Sequence, residues 1–437
     1  PSLAQAQVLS AAGRQFPEGD VQHWWLPRSG AGVRTTISDG VVWLAYGAHS
    51  AITATGDLSL LDREIPFIEG EVLKDGEHDA FFTPKTSENT ATLYEHCALG
   101  LDLAIKRTGG DGLPLILGGD WNDGMNGVGK NGAGQSVWLG WFLAKTLTDF
   151  VPYGRQRGDA TRVQAWEAHI ASLKTALESA AWDGEWYRRA TYDDGTPLGS
   201  KDSDECRIDS IAQSWSVLSG LGQPDRQRMA MDQVERQLID EDLEIVKLFT
   251  PAFSKTPKEP GYIKSYPPGV RENGGQYTHA ATWTVFALAE LGRADAAFRA
   301  FQMLMPVNHA LDEAAAERYR VEPYVVAADI YSSDDKGGRG GWTWYTGSAG
   351  WLYRAAVEAI LGIRREGDRI FIEPVLPSSW EGFEATLRLD EATYNIKVQC
   401  GEKHEISVND TVLNDAFMQH SGAGVHEVRV IVPHSIP

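Results

Sequence analysis

The residues best equipped for chemistry lie in Gly118-Gly119-Asp120-Trp121-Asn122-Asp123-Gly124-Met125-Asn126-Gly127. Glycines on both sides let the backbone turn sharply and come close to a ligand, while two carboxyls, an amide and an indole stand within four residues. Such a loop could hold a sugar. Trp121 offers a flat apolar face to the C–H side of a pyranose, and Asp120 or Asp123 a carboxyl for proton transfer or hydroxyl binding. The same composition also builds plain turns. A calcium loop fits worse, because that pattern wants glycine sixth and a bidentate Glu twelfth, whereas Gly124 is fifth and Asn131 twelfth.

Three further stretches combine glycines, aromatics and polar groups. Glu272-Asn273-Gly274-Gly275 leads to His279 at the start of a helical pattern, where free N–H groups and the positive dipole end favour an anion; an ordinary capping or core histidine is the alternative. Trp344-Tyr345-Thr346-Gly347-Ser348-Ala349-Gly350-Trp351 sets hydroxyl and N–H donors at Thr346, Gly347 and Ser348 at the head of another helix, a suitable phosphate cradle or simply close packing of small residues. Trp43 to Tyr46 follow Arg34 and Asp39, a charged pair that reads as a structural salt bridge.

Apolar spacing predicts the helices that must position these loops, over about 3–14, 38–55, 57–65, 88–107, 134–150, 161–181, 206–220, 224–239, 278–291, 294–304 and 346–361. Ser38 or Asp39 is the expected cap of the second and Ser87 of the fourth. Leu113–Leu117 reads as the buried end of an element leading into the central loop. Long loops at 66–87, 108–133, 250–277 and 331–345 suit function. After Gly362 the pattern alternates apolar with polar, in 369–374, 383–389, 392–398, 406–408 and 425–432, which predicts a small β lobe. Paired helices followed by that lobe point to a mainly α protein: a closed helical toroid, an (α/α) barrel, and then the small β lobe.

Composition narrows the partners. Sixty acidic against 40 basic residues give a net charge of −20, which excludes a nucleic-acid surface and means that phosphate needs a local cluster of donors. Fifteen tryptophans in 437 residues leave some for a carbohydrate surface, although most belong in a core. Cys97, Cys206 and Cys400 form neither a disulfide framework nor a metal motif, and no run reaches the about 18 apolar residues of a membrane helix.

Gly119–Asn126, Glu272–His279 and Trp344–Trp351 resemble the inverting β-glucoside phosphorylases, the cellobiose, chitobiose and β-1,2-oligoglucan phosphorylases. Gln15–Trp25, Gly32–Asp39, Thr92–His96 and Glu322–Asp329 narrow the resemblance to the phosphorylase region of cyclic β-1,2-glucan synthases. The resemblance implies Asp123 as general acid and His279, Thr346 and Gly347 as phosphate ligands, with no metal and no cofactor beyond phosphate as co-substrate. Trp121, Asp120, Asn122, Glu272, Asn273, Arg34 and Asp39 are the expected sugar-binding set. A general acid further implies an Asp123 kept protonated by burial and by Trp121.

The resemblance also implies an (α/α)6 barrel over 1–364, short of its N-terminal portion, followed by a β-sandwich lobe over 365–437, and an upstream Arg-Asp-rich motif and an N-terminal β-sandwich in a longer membrane-bound synthase. The segment would act on the cytoplasmic side of a bacterial inner membrane, on β-glucan oligosaccharide, with room for a homodimer. An inverting β-glucan hydrolase and a non-catalytic glucan-binding module are the alternative readings.

Overall fold

A computed structural model describes residues 2–74 and 76–433. Its helices are α1 Ser2–Ala12, α2 Gly40–Thr55, α3 Leu93–Lys106, α4 Val137–Gln156, α5 Ala160–Ser179, α6 Ser210–Leu218, α7 Pro224–Gln237, α8 Thr278–Glu290, α9 Ala294–Leu304, α10 Glu313–Tyr319 and α11 Thr346–Arg354, the last continuing as a π turn over Ala355–Ile360. Alternate helices differ in character. α4 carries apolar groups all round and buries Trp138, Trp141, Phe142 and Leu147, whereas its successor α5 buries one stripe through Val163, Trp166, Leu173 and Leu177. α2 packs on α4, α4 on α6, α6 on α8 and α8 on α11, while α3, α5, α7 and α9 each pack against the preceding member of that series. An aromatic stack of Trp43, Phe142, Trp138, Trp215 and Trp283 runs through the centre.

Side-chain caps start several helices: Thr92 accepts from Glu95 N, Ser136 from Leu139 N, Asp159 from Arg162 N and Asp209 from Ile211 N. Three expectations are corrected. Residues 88–92 are not helical but belong to a strand, Lys85–Thr92, antiparallel to Glu64–Glu69, so Thr92 and not Ser87 caps α3. Residues 57–65 divide into a 3₁₀ turn at Leu58–Asp62 and the start of that partner strand. Asp39 stands at the cap of α2 but bonds elsewhere.

The C-terminal part holds two sheets around one apolar core of Ile370, Ile372, Tyr394, Ile396, Val398, Met418, Val428 and Val430. A five-stranded sheet runs Gly382–Leu389, Glu391–Gly401, Ala423–Pro433, Glu405–Val408, Thr411–Val412, its second and third strands parallel over eleven pairs. A three-stranded sheet joins Ile363–Glu366, Arg369–Ile372 and Phe417–Gln419. Helix makes up 39% and strand 24% of the chain; most of the strand lies in these C-terminal sheets and in the strands between residues 22 and 92, and two-residue ladders also tie the loops between helices.

Candidate active site

The central loop is shaped by what lies beneath it. Gly119 adopts φ 123°, and a Cβ there would meet Asp123 Cα at 3.2 Å, so only glycine turns the chain this tightly. Asp120 then points inward. It is fully buried, takes both guanidinium nitrogens of Arg189 at 2.7 and 2.6 Å, and accepts from Ser136 Oγ at 2.6 Å and Asn122 N at 3.1 Å. This overturns the expectation that Asp120 binds sugar: its oxygens are committed to the protein. Arg189 is buried as well, and its Nε lies 3.2 Å from Asp209. Asn122 is also buried, with Oδ1 accepting from Gly124 N to cap the 3₁₀ turn Asp123–Met125.

Two side chains leave that base in the other direction. Trp121 is half-buried between the rings of Tyr277, His279 and Trp283, and its N–H donates to His279 Nδ1 at 3.2 Å. That bond assigns the ring proton to Nε2, which is buried and has no protein partner. Burial holds the imidazole down to about 4, so His279 is a neutral donor at physiological pH. Asp123 is 40% exposed, with Oδ2 3.1 Å from His23 Nε2. The expected burial of Asp123 under Trp121 is therefore absent; its neighbour is a histidine. Tyr262 and Tyr266 stand beside it from the 250–277 loop, which is clipped on by Tyr262 N to Asn126 Oδ1 and Gly127 N to Pro260 O.

The carboxyl that burial does affect is Asp39. It is pushed up to about 7 by desolvation, against a hydrogen bond from Trp43 Nε1 at 2.7 Å, with the charges of Asp120 and Asp123 reinforcing the rise and that of His23 opposing it. Arg34 does not pair with it. Arg34 takes Asp20 in two bonds of 2.6 and 2.7 Å, reaches Glu18, and lies over the Phe16 ring, a buried strut rather than a sugar contact.

Farther along the 250–277 loop, Asn273 is fully buried and clips Phe253 N, Phe253 O and Tyr266 O, so it shapes the loop and does not face sugar. Glu272 remains near the surface with Arg271 Nε at 3.3 Å. Arg271 itself adopts φ 52°, lies over Tyr266 and Trp342, and donates its backbone N–H to Asp329. Thr346 and Gly347 are exposed at the head of α11, and a Cβ on Gly347 would meet open space. Trp351, one turn further, packs on His279 with centroids 5.8 Å apart and so brings the heads of α8 and α11 together.

His23, Arg189, Arg271 and Asp329 escaped the sequence reading. A charged residue inside an apolar stretch is a weak signal for the first two, and positive φ at a non-glycine cannot be read at all. Among the described residues no His, Cys, Asp and Glu gather as a metal site, and no helix is long and apolar enough to cross a membrane.

Residues 1–362 match the profile of the Glycosyl hydrolase 94 superfamily, catalytic domain. The chain belongs to that family. It is 60% identical over 419 residues to the cyclic beta-(1,2)-glucan synthase NdvB of Rhizobium meliloti, covering 95% of this chain and 15% of that protein. It is 29% identical to the N,N'-diacetylchitobiose phosphorylase of Vibrio furnissii and 24% identical to the 1,2-beta-oligoglucan phosphorylase of Listeria innocua, covering 92% and 95% of this chain. The chain spans 48% and 40% of those two relatives. A GH78 family rhamnosidase of Bacillus sp. GL1 shares the fold at 14% identity, with a TM-score of 0.54 over 92% of this chain and 35% of the rhamnosidase. The central loop and its partners thus belong to a Glycosyl hydrolase 94 catalytic domain whose relatives include a glucan synthase and several phosphorylases.

Proposed function

We propose that this chain performs inverting phosphorolysis of β-1,2-glucan, releasing α-glucose 1-phosphate. What supports the reading best is the pairing on one loop of an accessible carboxyl, Asp123, with an indole, Trp121, that fixes His279 as a buried and unpaired N–H donor. Asp123 gives a proton to the glycosidic oxygen. The bond from that oxygen to the anomeric carbon breaks as a phosphate oxygen attacks from the opposite face, which inverts the configuration. An inverting hydrolase needs a second carboxylate ~6.5–9.5 Å away to activate water. Phosphate is already an anionic nucleophile, so the site needs donors instead. His279 Nε2–H, the Thr346 hydroxyl and the free N–H groups at the head of α11 fill that role in this reading.

Trp121 and Glu272 remain the proposed sugar contacts, with Asp39 behind them. Asp120, Asn122, Asn273 and Arg34 position the loops. The helical series is read as part of an (α/α)6 barrel over 1–364 and the two sheets as a β-sandwich lobe over 365–437. The segment would serve a longer membrane-bound synthase, on the cytoplasmic side of a bacterial inner membrane, alone or as a homodimer.

The test is α-glucose 1-phosphate formation from short linear β-1,2-glucans with and without inorganic phosphate, for this chain and for Asp123→Asn. Phosphate-dependent product that falls by about 10³-fold or more in the variant is expected, since an acid with no substitute is lost. Glucose release without phosphate would overturn the reading.

A further inference from the structure

His23 lies where a plain hairpin would not put it. The strand Gln22–Trp25 pairs with Gly32–Thr35 so that Gln22 faces Arg34 and Trp24 faces Val33, which makes His23 the extra residue of a β-bulge. A bulge re-aims one side chain, and here it turns the imidazole so that Nε2 meets Asp123 Oδ2 at 3.1 Å. Among the described residues that is the ring's one hydrogen bond to protein, and 26% of the side chain stays exposed. The bulge therefore delivers a titratable group to a carboxyl that lies 100 residues away in the chain.

We propose, building on the phosphorylase reading, that His23 is the positioning residue that supplies the proton of Asp123. The pair shares one proton, which sits on Nε2 in the empty cleft and on the carboxyl when a glucan fills it. Loading breaks the Nε2–H bond and forms O–H on Asp123. The glycosidic oxygen then takes that hydrogen as its bond to the anomeric carbon breaks, and a solvent proton reloads Nε2 once product leaves. Sugar drives the first transfer by displacing water, because a less polar cleft disfavours the charge-separated pair more than the neutral one.

The surroundings agree. Burial alone pushes His23 down, but the hydrogen bond and charge of Asp123, with the charge of Asp39 behind, carry it above its ordinary value. The other groups facing the pair are Tyr262 and Tyr266, which stay neutral, and Asp120, whose charge is met by Arg189.

Two measurements decide it. The first follows the His23 ring by nitrogen NMR across pH in wild type and in Asp123→Asn. An elevated titration that drops by about one unit in the variant is expected; the same midpoint in both overturns the proposal. The second is the pH profile of kcat/KM in His23→Gln, whose amide N–H can hold the Asp123 carboxylate by a hydrogen bond but has no proton to give up. Its alkaline limb should move down by about one unit, tenfold in occupancy of the acid, with KM for phosphate unchanged. A limb that stays in place, with or without a fall in kcat, overturns it. Failure of wild type to form α-glucose 1-phosphate would sink the phosphorylase reading, while the NMR measurement would still decide whether the proton is shared.

Discussion

Asp39 is a carboxyl with almost no solvent, bonded to the indole N–H of Trp43 and facing His23, Asp120 and Asp123. Its ordinary value of 3.8 rises to about 7, so folded protein binds this proton more tightly than unfolded chain does. The stability it contributes is complete below the ordinary value and is lost as pH rises through about 7. Asn copies the protonated form. Asp39→Asn is therefore expected to match wild type in urea unfolding near pH 4 and to exceed it increasingly toward pH 8, by on the order of 2–4 kcal/mol from a shift of about three units. A gap that shrinks with rising pH would contradict the assignment. Asp39 also shows why some residue roles were hidden in the sequence. It and Arg34 are five apart and looked like a salt bridge, yet each found a better partner: Arg34 the two oxygens of Asp20, Asp39 an indole on its own helix.

Helices α4 and α6 meet the central loop through one cation. Ser136 caps α4 and donates to Asp120, Asp209 caps α6, and the Arg189 guanidinium lies between the two aspartates. Loop and helix heads are thus held by a buried pairing whose loss leaves uncompensated charge. Arg189→Met should cost about 3–5 kcal/mol, and adding Asp120→Asn and Asp209→Asn should return part of it. Denaturant titration of the single and triple variants checks this; an additive loss would argue that the residues do not act as a unit. At this scale the sequence was readable where one face was apolar, which is why α2, α5, α7 and α9 were foreseen to within two residues at each end. It misled at Lys85-Thr86-Ser87-Glu88-Asn89-Thr90-Ala91-Thr92, whose last five residues read as helix but form a largely exposed strand held by backbone pairing with Glu64–Glu69 and not by its side chains. The split on the central loop between Asp120 below and Asp123 above was not legible either, since Arg189 lies 69 residues away.

Across the whole molecule the helical core and the β-rich core meet along a narrow seam. Trp380 packs edge-on against Phe298 at 4.9 Å, Ser378 N–H donates to Asp295, Val375 N–H to Ile360 O, and Gly367 N–H to Thr53 O. The chain crosses at Gly362, which has φ 65° and where a Cβ would lie 2.1 Å from the backbone of Glu373. That neighbour is backbone and cannot swing aside. Gly362→Ala should therefore strain the crossing by on the order of 3 kcal/mol, combining a left-handed residue with overpacking. The expected loss falls on the seam, because each side keeps its own apolar core. Calorimetry should show one cooperative transition in wild type and, in the variant, a low-temperature shoulder from the β-rich part ahead of the helical one. The candidate active site lies at the head of α11, about 16 residues and ~24 Å of helical rise before Gly362. Below that shoulder, phosphate-dependent turnover should stay near wild type. A single transition at an unchanged midpoint would show that the crossing relaxes freely and that Gly362 is not what couples the two cores.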